Sequence, residues 1–449
     1  MTGAIVWLRD DLRLADNPAL RAGIDHGGHV TVVYVLDDET PGVRAIGAAA
    51  RWWLHHSLAA LDAELHDRGS RLVLRRGAAA DTIDQLVADT GAEAVYWNRR
   101  YGAAEREIDA GIKSSLTDRG IEAHSFAANL LWEPWTVLTG QGEPFKVFTP
   151  FWNAAQAMPE PRHPLPKPRD LPSPARATGD SLGDWDLLPT TPDWAGGLRD
   201  TWEPGEQGAA RRLEHFVDHA LEDYDQRDEP SMDATSGLSP HLRWGEISPY
   251  QVWHRLHERL EPDQRKQAPG FLRQLAWREF NWNEYFHCDD IATVNVRREF
   301  DAFPWRRASA SELERWQQGR TGIDLVDAGM RELWHTGAMH NRMRLVTASF
   351  LVKNLLVDWR VGEQWFWDTL VDADAANNPG NWQWVAGSGF DAAPYFRVFN
   401  PERQLERFDP HREYVRRWVP SDEDRPEPMV DLKETRKRAL DAYDRMRHA

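Results

Sequence analysis

Cysteine is nearly absent from this chain of 449 residues: Cys288 is the only one. A single thiol excludes an internal disulfide and any zinc or iron–sulfur site built on several cysteines. Long hydrophobic runs are missing too. No stretch approaches the roughly 20 apolar residues that a membrane-spanning helix needs. Met1 to Leu8 has no basic segment leading into a long apolar run, so it reads as a strand and not as a signal peptide. Positive charge is scarce, with 54 Lys and Arg against 71 Asp and Glu and a net charge of −17. Acidity of this size argues against binding nucleic acid, because phosphate contacts need Lys and Arg. It does not exclude it, since net charge is a global sum and a binding face is local. The glycine-rich dinucleotide fingerprint is also absent: the loop after the first apolar run reads Arg9-Asp10-Asp11. These absences leave a soluble cytoplasmic protein, long enough for two domains.

Tryptophan is what the chain has in excess. There are 23, and twelve lie between Trp244 and Trp384. Filling a large helical core explains most of them. It does not explain why so many stand beside Arg, Asn and Asp.

Short apolar runs at 4–8, 29–36, 71–74, 94–97 and 121–126 alternate with helical patterns at 48–67, 79–90 and 103–119. Asp16-Asn17-Pro18 marks a further helix start, with a capping side chain and then proline. Strands alternating with helices of this length predict a doubly wound parallel α/β domain over residues 1–130. Residues 159–174 contain seven prolines and cannot be helical. They anchor an interdomain connection spanning 131–204. From 205 to 449 the pattern is helical, with segments at 207–222, 248–260, 267–286, 309–317, 322–335, 339–357 and 362–371 and no convincing strand. The second domain is expected to be all-α.

Four segments carry chemistry. Thr235-Ser236-Gly237-Leu238-Ser239, before Pro240, can offer backbone N–H and hydroxyl groups to a phosphate, or be a plain capped loop. Trp277-Arg278-Glu279-Phe280 sets an aromatic beside a cation, suited to stacking on a base while holding a phosphate; a core Trp beside a surface Arg is the alternative. In 339–345, His340 lacks the partner at helical spacing that a metal site needs. Asn341, Arg342 and Arg344 open an otherwise apolar helix, so they point into a site or pair with carboxylates, Asp372 and Asp374 being the obvious partners. Residues 372–384 hold those two acids, several amides and Trp382 and Trp384. The acids could do acid–base work as in glycosidases, or make structural or ribose hydrogen bonds. The two Trp flank Gln383 and cannot share one helical face. A sugar enzyme would explain the acids and Trp but not the arginines.

Assembled, these segments resemble the DNA photolyase/cryptochrome family over nearly the whole length. The resemblance rests on WLRDDLRLADNPAL, YDQRDEPSMDATSGLSPHLRWGEISP, WREF, WQQGRTGIDLVDAGMRELWHTGAMHNRMR and DADAANNPGNWQWVAGSGFDAAPYFRVFNPERQ. It implies an N-terminal α/β antenna domain and a helical domain that holds FAD in a bent form. Its FAD contacts carry over onto Tyr224, Thr235, Ser236, Gly237, Leu238, Ser239, Arg344, Asp372 and Asp374. Asn378 matches the residue facing flavin N5, and Trp382, Trp359 and Trp305 match the chain of tryptophans that reduces the flavin.

The implied reaction is light-driven electron transfer from reduced FAD to a cyclobutane pyrimidine dimer flipped out of damaged DNA. Trp277 and Trp384 match the residues packing against the dimer. Arg227, Arg278, Asn341, Arg342 and Gln404 match residues at or near the DNA, which implies a basic face around the arginines. The family's dimer-contacting Glu is here Gln274, which cannot carry charge or a titratable proton, so slower or weaker repair is expected. (6-4) photolyase chemistry needs His where this chain has Asn341 and Leu345. A cryptochrome, a blue-light receptor that signals and does not repair, is the alternative from another class. A second, antenna chromophore, methenyltetrahydrofolate or deazaflavin, is possible, with Glu105 near its position in some relatives. A monomer is expected.

Overall fold

The computed structural model describes residues 3–258, 260, 268–288, 290–392, 396–420 and 425–448. Met1 and Thr2, the ends of two expected helices at 259 and 267, and 393–395 within the last family segment lie outside the described residues.

The first domain is the doubly wound sheet expected from the alternating pattern. Strands β1 (Gly3–Leu8), β2 (His29–Leu36), β3 (Leu72–Arg76), β4 (Ala94–Asn98) and β5 (Glu122–Phe126) are all parallel, in the order β3-β2-β1-β4-β5. Alternate side chains of β1 feed two cores. Val6 and Leu8 pack with Leu20, Trp52, Trp53 and Leu58 from helices α1 (Pro18–His26) and α2 (Ala48–His66). Ile5 and Trp7 pack on the other face with Ile83, Leu86, Ile112 and Leu116 from α3 (Ala79–Thr90) and α4 (Ala103–Asp118). Burial on both faces explains why these strands read as unbroken apolar runs. The Asn17 side chain caps α1 by accepting from the Leu20 N–H at 3.1 Å, and Pro18 takes the first position, as the sequence signals.

The regular structure in the rest of the described chain is helical. Helices α5 (Phe148–Gln156) and α6 (Gly196–Thr201) fall inside the segment read as a connection. Their residues are core: Phe148, Phe151 and Trp152 join the cluster of Phe216, Tyr224, Phe271 and Phe280, and Leu198 joins the sheet's cluster. The proline-rich stretch is irregular, as expected, but tied down: Asp16 Oδ1 accepts from the Leu165 N–H at 2.9 Å and from Arg162 at 2.5 Å. Then come α7 (Glu206–His215), α8 (Ser239–Arg243), α9 (Pro249–Glu258), α10 (Ala268–His287), α11 (Ala310–Gln317), α12 (Asp324–Thr336), α13 (Asn341–Ser349) and α14 (Trp359–Thr369). Helices α15 (Asn377–Ala386), α16 (Pro401–Phe408), α17 (Glu413–Trp418) and α18 (Leu432–His448) complete the expected all-α domain, beyond the individual segments named from the sequence.

The segment after β1 proves to be a lock between the domains. Fully buried Arg13 donates to Ala128 O at 3.0 Å and to Gly245 O at 2.8 Å. Ser248 Oγ donates to Asp16 Oδ2 at 2.5 Å, and Arg243 pairs with Asp10 at 2.6 Å. Strand order reverses between β1 and β4, the position where open α/β sheets place ligands at the carboxyl ends of their strands. A cavity of about 110 Å³ lies there, lined by Trp7, Tyr34, Arg100 and Glu105 on the sheet side and by Asp374 and Ala375 on the helical side.

Candidate functional site

The segment between α14 and α15 organises the site. Asp372 Oδ2 accepts from Arg344 Nη2 at 2.8 Å and from Ser239 Oγ at 2.6 Å. This joins the start of α13, the 235–239 loop and the acidic segment. The Arg344–Asp372 pair is the one the sequence suggested. Arg342 is a correction: its guanidinium pairs with Asp228 at 2.5 Å and lies over the Phe408 ring, not with Asp372 or Asp374. Asp374 is committed to α15 itself. Its Oδ1 accepts from the backbone N–H of Ala376 at 2.9 Å and Asn377 at 2.5 Å, and its Oδ2 from Asn377 Nδ2 at 2.7 Å. It therefore satisfies donors that the first turn of a helix leaves orphaned.

Asp372 Oδ1 is buried and has no hydrogen-bond partner in the protein. A buried carboxylate oxygen left unpaired is expensive, so it marks the place of a donor supplied from outside. The loop 235–239 runs past it. Gly237 holds a left-handed φ of +61° there, and Thr235 and Ser239 are exposed. Arg212 of α7 lies against Gly237. Nothing in the local sequence marks Arg212, because only the fold brings α7 to this loop. Two cations, a row of hydroxyls and an orphaned acceptor suit a ligand with phosphates at one end and donors at the other. That donor set fits FAD. Tyr224 is buried beneath, edge-on to Phe216 and Phe271, and burial pushes its hydroxyl well up.

Asn378, on the second residue of α15, is 8% exposed. Its Nδ2 donates to Glu363 O at 3.0 Å and to Glu363 Oε1 at 2.8 Å. Both partners are acceptors, so the amide orientation follows from the network. Its oxygen is turned away from Glu363. Four residues on, Trp382 is 2% exposed and edge-on to Phe366 at 4.9 Å. Gly362 of α14 permits this: a Cβ there would sit 2.1 Å from the Trp382 ring. Trp359 belongs to the same cluster and donates to Asn295 Oδ1 at 2.9 Å. Trp305 is brought to the start of α14 by a parallel bridge between Arg306 and Val357, and it packs partly buried against the cluster.

The opposite face is more open. Trp277 is half-buried on α10 and stacks on Phe148 at 3.8 Å with 6° between planes. Trp384 is half-buried on α15 and donates to Asp391 O at 3.1 Å. The Asp391 carboxyl lies near the backbone N–H of Phe148, which relates the two tryptophans through Phe148 and Asp391. Gln274 stands half-exposed one turn before Trp277, and Asn341 is exposed at the start of α13. Gln404 Oε1, on α16, is buried without a partner.

The arginines expected to make this face basic are engaged. Arg278 donates to Asn129 O at 2.9 Å and to Glu279 Oε1 at 3.0 Å, facing the end of the first domain. Burial pushes Glu279 up to about 7 despite that cation. Arg227 donates to Tyr224 O at 3.1 Å. Its own carbonyl lies 2.9 Å from His340 Nε2, while His340 Nδ1 accepts from the Arg342 N–H. Accepting at one nitrogen and donating at the other requires neutral imidazole, and burial lowers His340 to about 4. His340 thus caps α13, a role its sequence position did not reveal.

Comparison with known proteins agrees with this geometry. Residues 4–169 match the family described as DNA photolyase, and residues 271–427 match the FAD binding domain of DNA photolyase. The deoxyribodipyrimidine photo-lyase of Agrobacterium fabrum is 48% identical over 93% of this chain and 86% of its own length. Cryptochrome-1 of Arabidopsis thaliana is 37% identical over 93% of this chain and 62% of its own. The crystal structure of a bacterial class III photolyase from Agrobacterium tumefaciens superposes with a TM-score of 0.94 at 44% identity, covering 100% of this chain and 98% of that one. Among the described residues, no helix is long and apolar enough to cross a membrane.

Proposed function

We propose that this chain, a photolyase-type enzyme that belongs to the DNA photolyase/cryptochrome family, repairs cyclobutane pyrimidine dimers in DNA by light-driven electron transfer from reduced FAD to a flipped-out dimer. One observation carries the reading. Helix α15 bears Asn378, Trp382 and Trp384 within two turns: a pinned amide on the cofactor side, a buried ring leading inward and a half-buried ring facing outward.

FAD, when bound, supplies the photochemistry and the electron. The protein's residues position and shield. Asp372, Asp374, Arg344, Tyr224 and the 235–239 loop hold the cofactor. Asn378 would offer its amide oxygen to N5 of a bound flavin, because Glu363 occupies its N–H donors. Trp382, Trp359 and Trp305 would form the route along which a bound flavin receives electrons from the surface. Trp277 and Trp384 cradle the dimer, whose extrusion costs less than that of a normal pair because dimerised bases stack poorly. Arg227, Arg278, Asn341, Arg342 and Gln404 lie at or near the DNA, and Asn341 with Leu345 disfavours (6-4) chemistry, which needs imidazole at both positions. The cavity at the strand ends, with Glu105 in its wall, is the place for an antenna chromophore, methenyltetrahydrofolate or a deazaflavin.

Gln274 and the likeness to a cryptochrome favour a second reading, a blue-light receptor with weak or no repair. The test is single-turnover loss of dimer from an oligonucleotide under blue light after reduction, with Gln274→Glu beside the parent. Repair by both, several-fold faster in the Glu variant, is expected. No loss of dimer in either moves the chain to the receptor reading, and a slower Glu variant overturns the role given to position 274.

A further inference from the structure

Arg44 lies in the α/β domain, on the loop between β2 and α2, 319 residues from Glu363 in sequence. It nevertheless reaches into the helical domain. Its Nη1 and Nη2 donate to Glu363 Oε1 and Oε2 at 2.7 and 2.8 Å, and Nη2 also donates to Gln364 Oε1 at 3.0 Å. The guanidinium lies 3.9 Å from the Trp367 ring centroid. Glu363 is 2% exposed and carries Asn378 on the same Oε1. A fork-to-fork arginine–carboxylate pair is the arrangement that most restricts a carboxylate's rotation. A buried carboxylate that loses its cation is stranded and must turn, take a proton or admit water.

We infer that Arg44 is a positioning residue for the flavin's redox balance: through Glu363 it fixes which end of the Asn378 amide faces the cofactor, so that the domain seam is part of the redox site. The inference rests on the reading that Asn378 faces flavin N5. With Arg44 in place, Glu363 accepts from Asn378 Nδ2 and the amide oxygen points outward. An amide oxygen suits a flavin nitrogen that carries hydrogen, which the fully reduced flavin has and the oxidised flavin lacks. With Arg44 removed, only the Glu363 backbone carbonyl at 3.0 Å still holds Nδ2, so the amide is freer to rotate and offer its N–H instead, which suits the oxidised nitrogen. Arg44 also lines the cavity between the domains, beside Asp374 and Ala375. The same side chain therefore touches the cavity and holds the amide's anchor.

The test uses the full-length FAD-loaded protein and reads the ratio of reduced to oxidised flavin at a fixed redox poise, with FAD content measured on the same samples. Arg44→Gln, Arg44→Lys and Asn378→Ala are compared with the parent. Arg44→Gln is expected to keep its FAD and to lower the ratio roughly tenfold, the effect of one hydrogen bond gained or lost. Arg44→Lys, which keeps the charge without the fork, should fall between and guards against a Gln variant that fails to fold. If Asn378→Ala moves the ratio and both Arg44 variants keep the parental value, the inference is overturned. If Asn378→Ala itself leaves the ratio unchanged, the reading beneath it fails, and the inference with it.

Discussion

The two sides of α15 are built differently. Toward Asn378 and Trp382, most of the polar groups are paired: Asn378 with Glu363, Glu363 with Arg44, Asp374 with the first turn of the helix, Arg344 and Ser239 with Asp372. Toward Trp384 the side chains are half-buried or exposed, and Gln404 keeps an unpaired acceptor. A resident cofactor must be held in one geometry through many turnovers, so its supports are pre-organised. A lesion arrives and leaves, so the face proposed for it keeps valences open for a ligand to fill. One buried, unpaired oxygen on the inner side, Asp372 Oδ1, is open to a donor from the cofactor proposed there.

The comparison breaks first at Arg344. Arg344→Ala leaves Asp372 a buried carboxylate without its cation, and the variant is expected to lose about 3 kcal/mol of FAD binding. Isothermal titration of apoprotein with FAD measures this, and unchanged affinity would remove Asp372 from the cofactor site.

The inner side has a weak member. Glu284 of α10 lies beside Gly380 of α15, takes one long hydrogen bond of 3.4 Å from the Phe390 N–H, and is pushed by burial up to about 8. Its folded value is above its ordinary 4.5, so its contribution is fully present below pH 4.5 and is lost as pH rises through about 8. Glu284→Gln should therefore gain about 2 kcal/mol on the parent between pH 6 and pH 9. Parallel denaturant melts at the two pH values read it, and a difference that does not change with pH places the carboxyl in water.

The smallest expected effect is on the outer side. Trp384→Phe keeps an aromatic ring of smaller area, so affinity for dimer-containing oligonucleotide should fall by about 1 kcal/mol, roughly fivefold, with FAD content unchanged. A loss of FAD in this variant would mean that the two sides are not separate.

Much of the first domain was legible because its strands are buried on both faces and its helices on one. Apolar runs and 3.6-residue periodicity report such burial directly. Helix α15 was not legible as a helix. Asn377-Asn378-Pro379-Gly380-Asn381 is a poor helix former by intrinsic propensity. Its start is secured by the Asp374 carboxylate and by Asn281 Nδ2, which donates to Asn377 Oδ1 at 2.8 Å from α10. Proline is tolerated there because the first turn needs no N–H from it. Arg278 has partners that its neighbours in sequence did not single out. A cation beside Trp277 suggested phosphate, yet the adjacent Glu279 and the Asn129 carbonyl take the guanidinium. Nearest neighbours in sequence say which groups are available, and only the packing says which of them meet.

By itself, then, the sequence determined the division into a parallel α/β half and a helical half, the family, and the residue types from which the site is made. Burial patterns and short motifs are local properties, and local properties survive in a linear record. The tertiary structure alone decided that Arg342 pairs with Asp228, that His340 caps α13, that Arg212 flanks the 235–239 loop, and that Arg44 crosses the seam to Glu363. Each of these contacts joins side chains whose approach depends on how whole elements dock, and docking is set by the combined packing of many residues rather than by any one of them.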